Sequence, residues 1–353
     1  MFSKKLEHRI EIMVISFCCS IFLISCGGGG GGGGSAPSVA ASAPTTAITS
    51  GNAVQVSSEV LAASSVVSEN AQDTAQSVTG AVSTVQARNM GIVDLIIWQV
   101  EKNQELETVL LPDQQIVGAV YNNALACDFG GNVSGSWNDV DNNSALSSGD
   151  SFTFTYNNCR MESNGTLGTI SGSMSMHFNA FSAGDGINGS FDVSVTLNNL
   201  VLILPGDTET VHGDMRLSAN FSIQSLAFTA TGKSLSYVDG SNVSRTLANY
   251  SMTFSTPDAL LTWSYRFNGK LTCSQTLGGT ISFQTIVPFS GSSTDYADSG
   301  ELEVTGAIPA GAQYNSSLYI TVRSNTEVQL DIDADGDGTY EDTRVVGWNQ
   351  LTL

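Results

Sequence analysis

Positive charge is scarce in this sequence. Its 353 residues include 13 Lys and Arg against 33 Asp and Glu, a formal net charge of −20 at pH 7. A surface with this balance repels the phosphate backbone of nucleic acids and attracts cations. We therefore expect no nucleic acid among the partners of the chain, and we look for cation sites among its carboxylates.

Residue patterns typical of enzymes are also missing. The chain has no Gly-x-Ser-x-Gly elbow, no His-rich metal motif and no phosphate-binding glycine loop. Beyond the first 25 residues only His177 and His212 remain, far apart in sequence. Chance pairs among so many carboxylates leave a hydrolase open as an alternative. The sequence otherwise predicts a protein without catalysis.

Only one long apolar run occurs, from Ile10 to Ile24, and it follows the basic start Lys4–Arg9. It is too short for a stable membrane span and is typical of the core of a signal peptide. It ends in Leu23-Ile24-Ser25-Cys26, where small residues precede a thiol. This ending resembles the lipobox of bacterial lipoproteins, so residues 1–25 are predicted to be removed on export.

The resemblance implies that the thiol of Cys26 receives diacylglycerol and that acyl chains then hold the protein to a membrane. Each buried CH₂ group contributes about 0.8 kcal/mol to such anchoring. Gly27 stands where an inner-membrane retention signal has aspartate. We therefore expect an outer-membrane anchor, with the domain on the periplasmic face or at the cell surface. The predicted signal peptide contains three basic and two acidic residues, so the exported chain keeps 10 basic residues against 31 acidic ones.

Composition divides the exported chain into three parts. Residues 26–53 begin with an uninterrupted glycine run and continue with Ser, Ala, Pro and Thr. Because this composition cannot bury a core, it predicts a flexible tether with a reach of about 30 Å. Residues 54–125 are predicted to be helical or partly disordered, with the clearest helical period from Met90 to about Glu105. Residues 126–353 form the predicted β domain.

The β prediction depends on apolar residues that alternate with polar ones. In residues 173–181, Met174, Met176 and Phe178 face one way, and His177 falls on the polar face. The same period recurs in residues 191–197, 215–223 and 261–267, and clusters of Gly, Asn and Asp separate these runs. This pattern is typical of antiparallel strands with one dry and one wet face. It predicts a mainly β fold, a large antiparallel meander that forms a curled sheet, a sandwich or an open barrel, preceded by an N-terminal helical segment.

Cysteines give a further expectation. Cys127, Cys159 and Cys273 follow the lipobox, and export places them in an oxidising compartment where a disulfide is expected. Three single pairings are possible. Cys127–Cys159 is favoured because the intervening segment has the pattern of one strand–loop–strand unit, and closing that loop contributes roughly 3–4 kcal/mol on the chain-entropy model. Cys273 is then expected to be unpaired and buried.

The segment 331–342 contains six carboxylates in twelve residues. A Ca²⁺-binding loop places oxygen ligands at positions 1, 3, 5, 7, 9 and 12 and glycine at position 6, here Gly336. Gly338 at position 8 and the strand-like flanks depart from the helix–loop–helix pattern, so the loop would lie in a β-hairpin. The alternative is a plain acidic turn. The predicted ligands are Asp331, Asp333, Asp335, Asp337 through its carbonyl, Thr339, and Asp342 or, with a small shift, Glu341.

A second segment, 139–150, has the same spacing inside the expected disulfide loop. Leu146 occupies position 8, but Ser144 replaces the glycine at position 6, which weakens the match. An acidic turn is again the alternative. The predicted ligands are Asp139, Asp141, Asn143, Ser147 and Asp150.

These motifs together resemble a family of uncharacterised proteobacterial outer-membrane and surface lipoproteins. The resemblance spans most of residues 90–353. It supports the architecture and implies no activity. The matching segments are Cys127-Asp-Phe-Gly130-Gly131, Asp139-Val-Asp141-Asn142-Asn143, Gly149-Asp150, Cys159, Ser299–Gly306, the C-terminal Asp-Gly loop and Trp348…Leu351.

We expect a lipid-anchored envelope protein without catalysis, stabilised by Ca²⁺, that acts as a binding, adhesion or structural module. The alternative is a periplasm-facing carrier that holds a lipid or other apolar ligand in its curled sheet. A carrier needs a roomy apolar cavity, whereas a binder has a filled core and a polar exposed face. The sequence leaves open whether the partner is a protein, a glycan or a lipid.

Overall fold

The computed structural model describes residues 44–64, 67, 120–143, 147–163, 166–182, 189–205, 207–222, 225–256, 262–292 and 296–351. In this part of the chain one helix, α1 (residues 53–64), precedes fourteen strands. The helix predicted from Met90 to about Glu105 lies outside the described residues. The strands are β1 (Val120–Ala126), β2 (Asn132–Asn138), β3 (Ser151–Ser163), β4 (Thr166–Ser182), β5 (Gly189–Leu204), β6 (Asp207–Phe221), β7 (Leu226–Val238), β8 (Ser244–Thr256), β9 (Thr262–Cys273), β10 (Gly279–Ser292), β11 (Ser299–Thr305), β12 (Ser317–Val322), β13 (Glu327–Asp333) and β14 (Asp342–Gly347).

All fourteen described strands form one sheet in sequence order. Each strand pairs antiparallel with the next, and β1 and β14 are the two edges, so the sheet is open. A 3₁₀ turn, Trp348–Gln350, follows β14. The prediction of a mainly β antiparallel meander preceded by a helical segment is confirmed.

One face of the sheet is buried, as the alternating sequence requires. On β4 the side chains of Met174, Met176 and Phe178 are buried, and His177 between them is exposed. On β12, Leu318 and Ile320 are fully buried while their neighbours are half-buried. Buried residues of strands from β2 to β13 belong to one hydrophobic cluster, which α1 joins. Burial of this single apolar face drives the fold.

A line of bulges crosses the long strands and bends the sheet. On β5, Leu197 and Leu200 are both buried although two exposed asparagines separate them, because the bulge shifts the alternation by one residue. At Gly172 on β4, a Cβ atom would lie 2.2 Å from the carbonyl oxygen of Asn199, so only glycine fits there. Residues with positive φ along this line are Asn158, Gly172, Asn199, Gly213 and Asn249.

The contacts of α1 show how strongly the sheet curls. Ser58 Oγ lies 3.5 Å from the carbonyl oxygen of Gln350, just after β14, and the adjacent Glu59 contacts Arg245 on β8. In a flat sheet, six strand spacings would separate β8 and β14 by about 29 Å. One helix can reach both only if the sheet curls around it. Val56 and Val60 of α1 are fully buried on the inner face.

A buried ion pair fixes α1 inside the curl. Arg245 Nε lies 2.5 Å from Glu59 Oε2, and the side chains are 6% and 0% exposed. Arg245 also contacts Asp239, and its guanidinium stands 5.4 Å from the ring centre of Tyr237. Burial disfavours the charge on Arg245, but the hydrogen bonds to Glu59 and Asp239 and the nearby charges outweigh it, so its pKa is raised. The guanidinium of Arg245 therefore stays charged in the core.

The ordered contacts begin at Thr45, within the range that the sequence assigns to the tether. The backbone amides of Thr45 and Thr46 donate to the Thr280 carbonyl at 2.9 and 3.1 Å. Thr46 accepts from the Ala307 amide at 2.7 Å, and the Ile48 amide donates to Ser316 Oγ at 2.9 Å. Such backbone contacts carry no signature in side-chain composition, which is why residues 45–52 looked like linker.

The expected disulfide is present. Cys127 and Cys159 are bonded, with a Cα–Cα distance of 5.4 Å, and Cys273 is free and buried. The bond ties the turn between β1 and β2 to β3. At the same junction the Arg160 amide donates to the Gly130 carbonyl and the Phe129 amide donates to the Arg160 carbonyl.

Removing the buried charge at position 59 tests whether the ion pair holds α1. Glu59→Gln leaves Arg245 buried with less compensation, so we expect the free energy of unfolding to fall by about 3 kcal/mol in urea denaturation. The matched control is Asp192→Asn, which breaks the Arg216–Asp192 pair on the wet face, where the arginine is well exposed. That change is expected to cost less than about 1 kcal/mol. Equal costs for the two variants would show that the buried pair does not anchor the helix.

Candidate metal centres

The C-terminal acidic segment forms the hairpin connection between β13 and β14. Asp333, which is 4% exposed, accepts hydrogen bonds from the amides of Gly336 at 2.7 Å and Gly338 at 3.0 Å. Both glycines have positive φ, and a Cβ atom on Gly336 would lie 2.3 Å from the Tyr314 carbonyl oxygen. The loop is therefore folded around the Asp333 carboxylate, and it packs on the connection between β11 and β12.

Four carboxylates meet in this loop: Asp333, Asp335, Asp337 and Glu341. Each offers an oxygen that lies within 4.8 Å of the others. Hydrogen bonds from the hydroxyl and amide of Thr339 lower the pKa of Asp337, which favours its ionised form. Like charges this close repel one another unless a cation offsets them. The cluster could hold a metal ion, and an all-oxygen donor set suits Ca²⁺, Mg²⁺ or Mn²⁺.

Two of the predicted ligands lie outside this cluster. Asp331 Oδ1 accepts from the Thr343 hydroxyl at 2.7 Å, and both of its oxygens accept from the Gln329 side chain. The carboxylate of Asp342 pairs with Arg344 at 2.7 Å, and hydrogen bonds from Ser50 and Arg344 lower its pKa.

The gathered set matches a loop that starts two residues later than the one read from the sequence. With Asp333 at position 1, Asp335 and Asp337 occupy positions 3 and 5, Gly338 takes position 6 and Glu341 takes position 9. Thr339 would then offer its backbone carbonyl at position 7. This register moves Gly338 from position 8 to the glycine position 6, but it places Arg344 at position 12, where a helix–loop–helix calcium loop has a carboxylate. Overlapping Asp-x-Asp-x-Asp triplets made both registers possible, and both place a glycine at position 6, so only the folded hairpin separates them.

The N-terminal acidic segment connects β2 to β3. Asp139, Asp141 and Asp150 each offer an oxygen within 4.8 Å of the other two, and Asp139 and Asp150 are buried. Asp150 organises the loop, since its carboxylate accepts from the amides of Val140 at 3.0 Å and Ser147 at 2.8 Å. The first, third and twelfth positions of the predicted loop thus come together around a second possible metal site.

The other two predicted ligands of this loop have distinct positions. The Asn143 side chain donates to Asp141 Oδ2 at 2.9 Å, so its amide orders a ligand carboxylate. The hydroxyl oxygen of Ser147 is buried and has no hydrogen-bond partner within the described part of the chain. An unsatisfied buried oxygen costs free energy, which a bound cation would recover. Residues 144–146 lie outside the described residues.

Comparisons with protein-family models, with curated proteins and with solved structures each found no match. Within the ranges that the structure describes, no helix is both long and apolar enough to cross a membrane. The resemblance to proteobacterial lipoproteins therefore stays a prediction from the sequence.

Two single-charge variants decide between the two registers of the C-terminal loop. We expect Glu341→Gln to weaken Ca²⁺ binding by about tenfold or more in calorimetric titration, because ligand charge sets the affinity of such loops. Asp331→Asn, the matched control on the same hairpin, should leave the affinity within about twofold. The reverse order would restore the register that begins at Asp331.

Proposed function

We propose that this protein is a lipid-anchored module of the cell envelope, stabilised by Ca²⁺, that binds or adheres through its wet sheet face or serves a structural role there. The observation that carries the proposal is the position of the two carboxylate clusters. They occupy the β2–β3 and β13–β14 connections, next to the two edges of one open sheet.

Edge hairpins are the parts of an open sheet that fray most readily, because each edge strand has one partner only. The connection between β2 and β3 closes one edge region, which the Cys127–Cys159 disulfide also holds. The connection between β13 and β14 closes the other edge. A cation at each loop would fasten both ends of the meander, which is a stabilising role and requires no catalysis.

Calcium suits these loops better than magnesium. Mg²⁺ demands near-ideal octahedral geometry and keeps several waters, whereas Ca²⁺ accepts six to eight oxygens in flexible arrangements. The C-terminal loop offers four carboxylates and the carbonyl of Thr339 on one short turn. The neutral Asn143 and Ser147 of the other loop add oxygens at the spacing of a calcium loop.

The position of α1 inside the curl favours the binder over the carrier. The curl of the described sheet contains α1, whose Ala53, Val56 and Val60 side chains are fully buried. The described residues also form an open groove of about 390 Å³, on the strand ends of β9 and β10. Such a groove does not enclose an apolar ligand. Its lining residues are Thr262, Trp263, Ser264, Ser290, Gly291, Ser292 and Asp298.

The anchor is tested by replacing the predicted acylation site. Cys26→Ser should move the protein from the membrane fraction to the soluble fraction, because the acyl chains supply the membrane affinity. Mass spectrometry of the wild type should show an acylated Cys26 at the mature N-terminus. The control is Cys273→Ser, a buried free thiol, which should stay with the membrane. An unmodified Cys26, or a Cys26→Ser variant that remains membrane-bound, would refute the proposed anchoring.

A further inference from the structure

Large apolar side chains are exposed mainly at one end of the sheet. Ile308 and Tyr314 of the β11–β12 connection are 58% and 64% exposed, and Tyr340 of the β13–β14 connection is 48% exposed. We call these three residues the rim patch. Phe129 and Ile203 are exposed at the same end of the sheet, which also contains the β1–β2 and β5–β6 connections. Exposed apolar groups gathered at one end mark an interaction surface.

The rim patch is held together by contacts between the two connections. The backbone at Tyr314 lies against Gly336, where an added Cβ atom would come within 2.3 Å of the Tyr314 carbonyl oxygen. The ring of Tyr340 packs edge-on against Tyr319, with 5.9 Å between their centres. The patch therefore has a fixed shape, and its exposure is not a property of one mobile side chain.

The first described residues lie beside this patch. Thr46 accepts a hydrogen bond from the Ala307 amide, and Ala307 is the neighbour of Ile308. The predicted acylated Cys26 precedes Pro44 by 18 residues. The tether predicted for this stretch from its composition would have a typical reach of about 23 Å. The 16 residues of β5 alone extend about 53 Å at about 3.3 Å each, so the opposite end of the sheet lies well beyond this typical reach.

We propose that the rim patch rests on the lipid bilayer that holds the acyl anchor, with Ile308, Tyr314 and Tyr340 in its interfacial region. Tyrosine suits this depth because its ring is apolar and its hydroxyl stays hydrated. The carboxylates of Asp333, Asp335 and Asp337 lie beside the patch, and a bound divalent cation would let them approach lipid phosphates. This inference rests on the proposed function, since it takes the lipid anchor and the cation from it.

The cysteines of the chain allow a direct test. In the acylated full-length protein Cys26 is blocked, Cys127 and Cys159 are bonded and Cys273 is buried. A cysteine introduced by Tyr314→Cys or Ile308→Cys is then the reactive thiol, and it accepts a fluorescent bimane label. The matched control is Val140→Cys at the opposite end of the sheet, where the valine is 53% exposed.

Each labelled protein is reconstituted into phosphatidylethanolamine and phosphatidylglycerol vesicles with 1 mM Ca²⁺ and lipids that carry a nitroxide quencher. We expect quenching at positions 308 and 314 to be at least threefold stronger than at position 140. Two rim positions keep the test valid if one variant fails to fold. Equal quenching at the two ends, with Cys26 shown to be acylated by mass spectrometry, would overturn this inference alone. An unacylated Cys26 would overturn the proposed anchor instead.

Discussion

One constraint shapes the whole molecule: a single open sheet of fourteen strands has one apolar face, and that face must be kept from water. In the described part of the chain α1 has only twelve residues, which is too short to cover fourteen strands of a flat sheet. Bulges at Asn158, Asn199 and Asn249, with glycines opposite them, bend the long strands so that the apolar face turns inward. The described sheet then curls around α1, whose Val56 and Val60 are buried on its inner face.

A sheet that curls without closing must still hold α1 in its interior and must protect two edge strands. In this chain, polar groups lie at both places. Inside the curl, the buried ion pair between Glu59 and Arg245 holds α1 against β8. The two edges are each held near an acidic hairpin, and one also carries the disulfide at Cys159. Apolar burial therefore supplies the compactness, while the ion pair fixes α1 inside the curl.

Much of this arrangement could be predicted from the sequence where the relevant signal is local. The period of two in residues 173–181 specified strands and their inner face, and the favoured Cys127–Cys159 pairing is confirmed. The role of α1 could not be predicted, because Glu59 and its serine neighbours look like a solvated face and Arg245 is 186 residues away. The C-terminal site was ambiguous for another reason. Overlapping aspartate triplets fit two loop registers, and only the folded hairpin separates Asp331 from the cluster.

The central claim of this account is that Ca²⁺ occupies the β2–β3 and β13–β14 loops, next to the two edges, and thereby stabilises an open, curled sheet. An anomalous difference map from crystals grown with Ca²⁺ tests it most directly. We predict one peak about 2.4 Å from carboxylate oxygens of Asp333, Asp335 and Asp337, and a second peak between Asp139 and Asp150. Absence of both peaks, at calcium concentrations that saturate ordinary extracellular sites, would contradict the claim and leave the two loops as acidic turns.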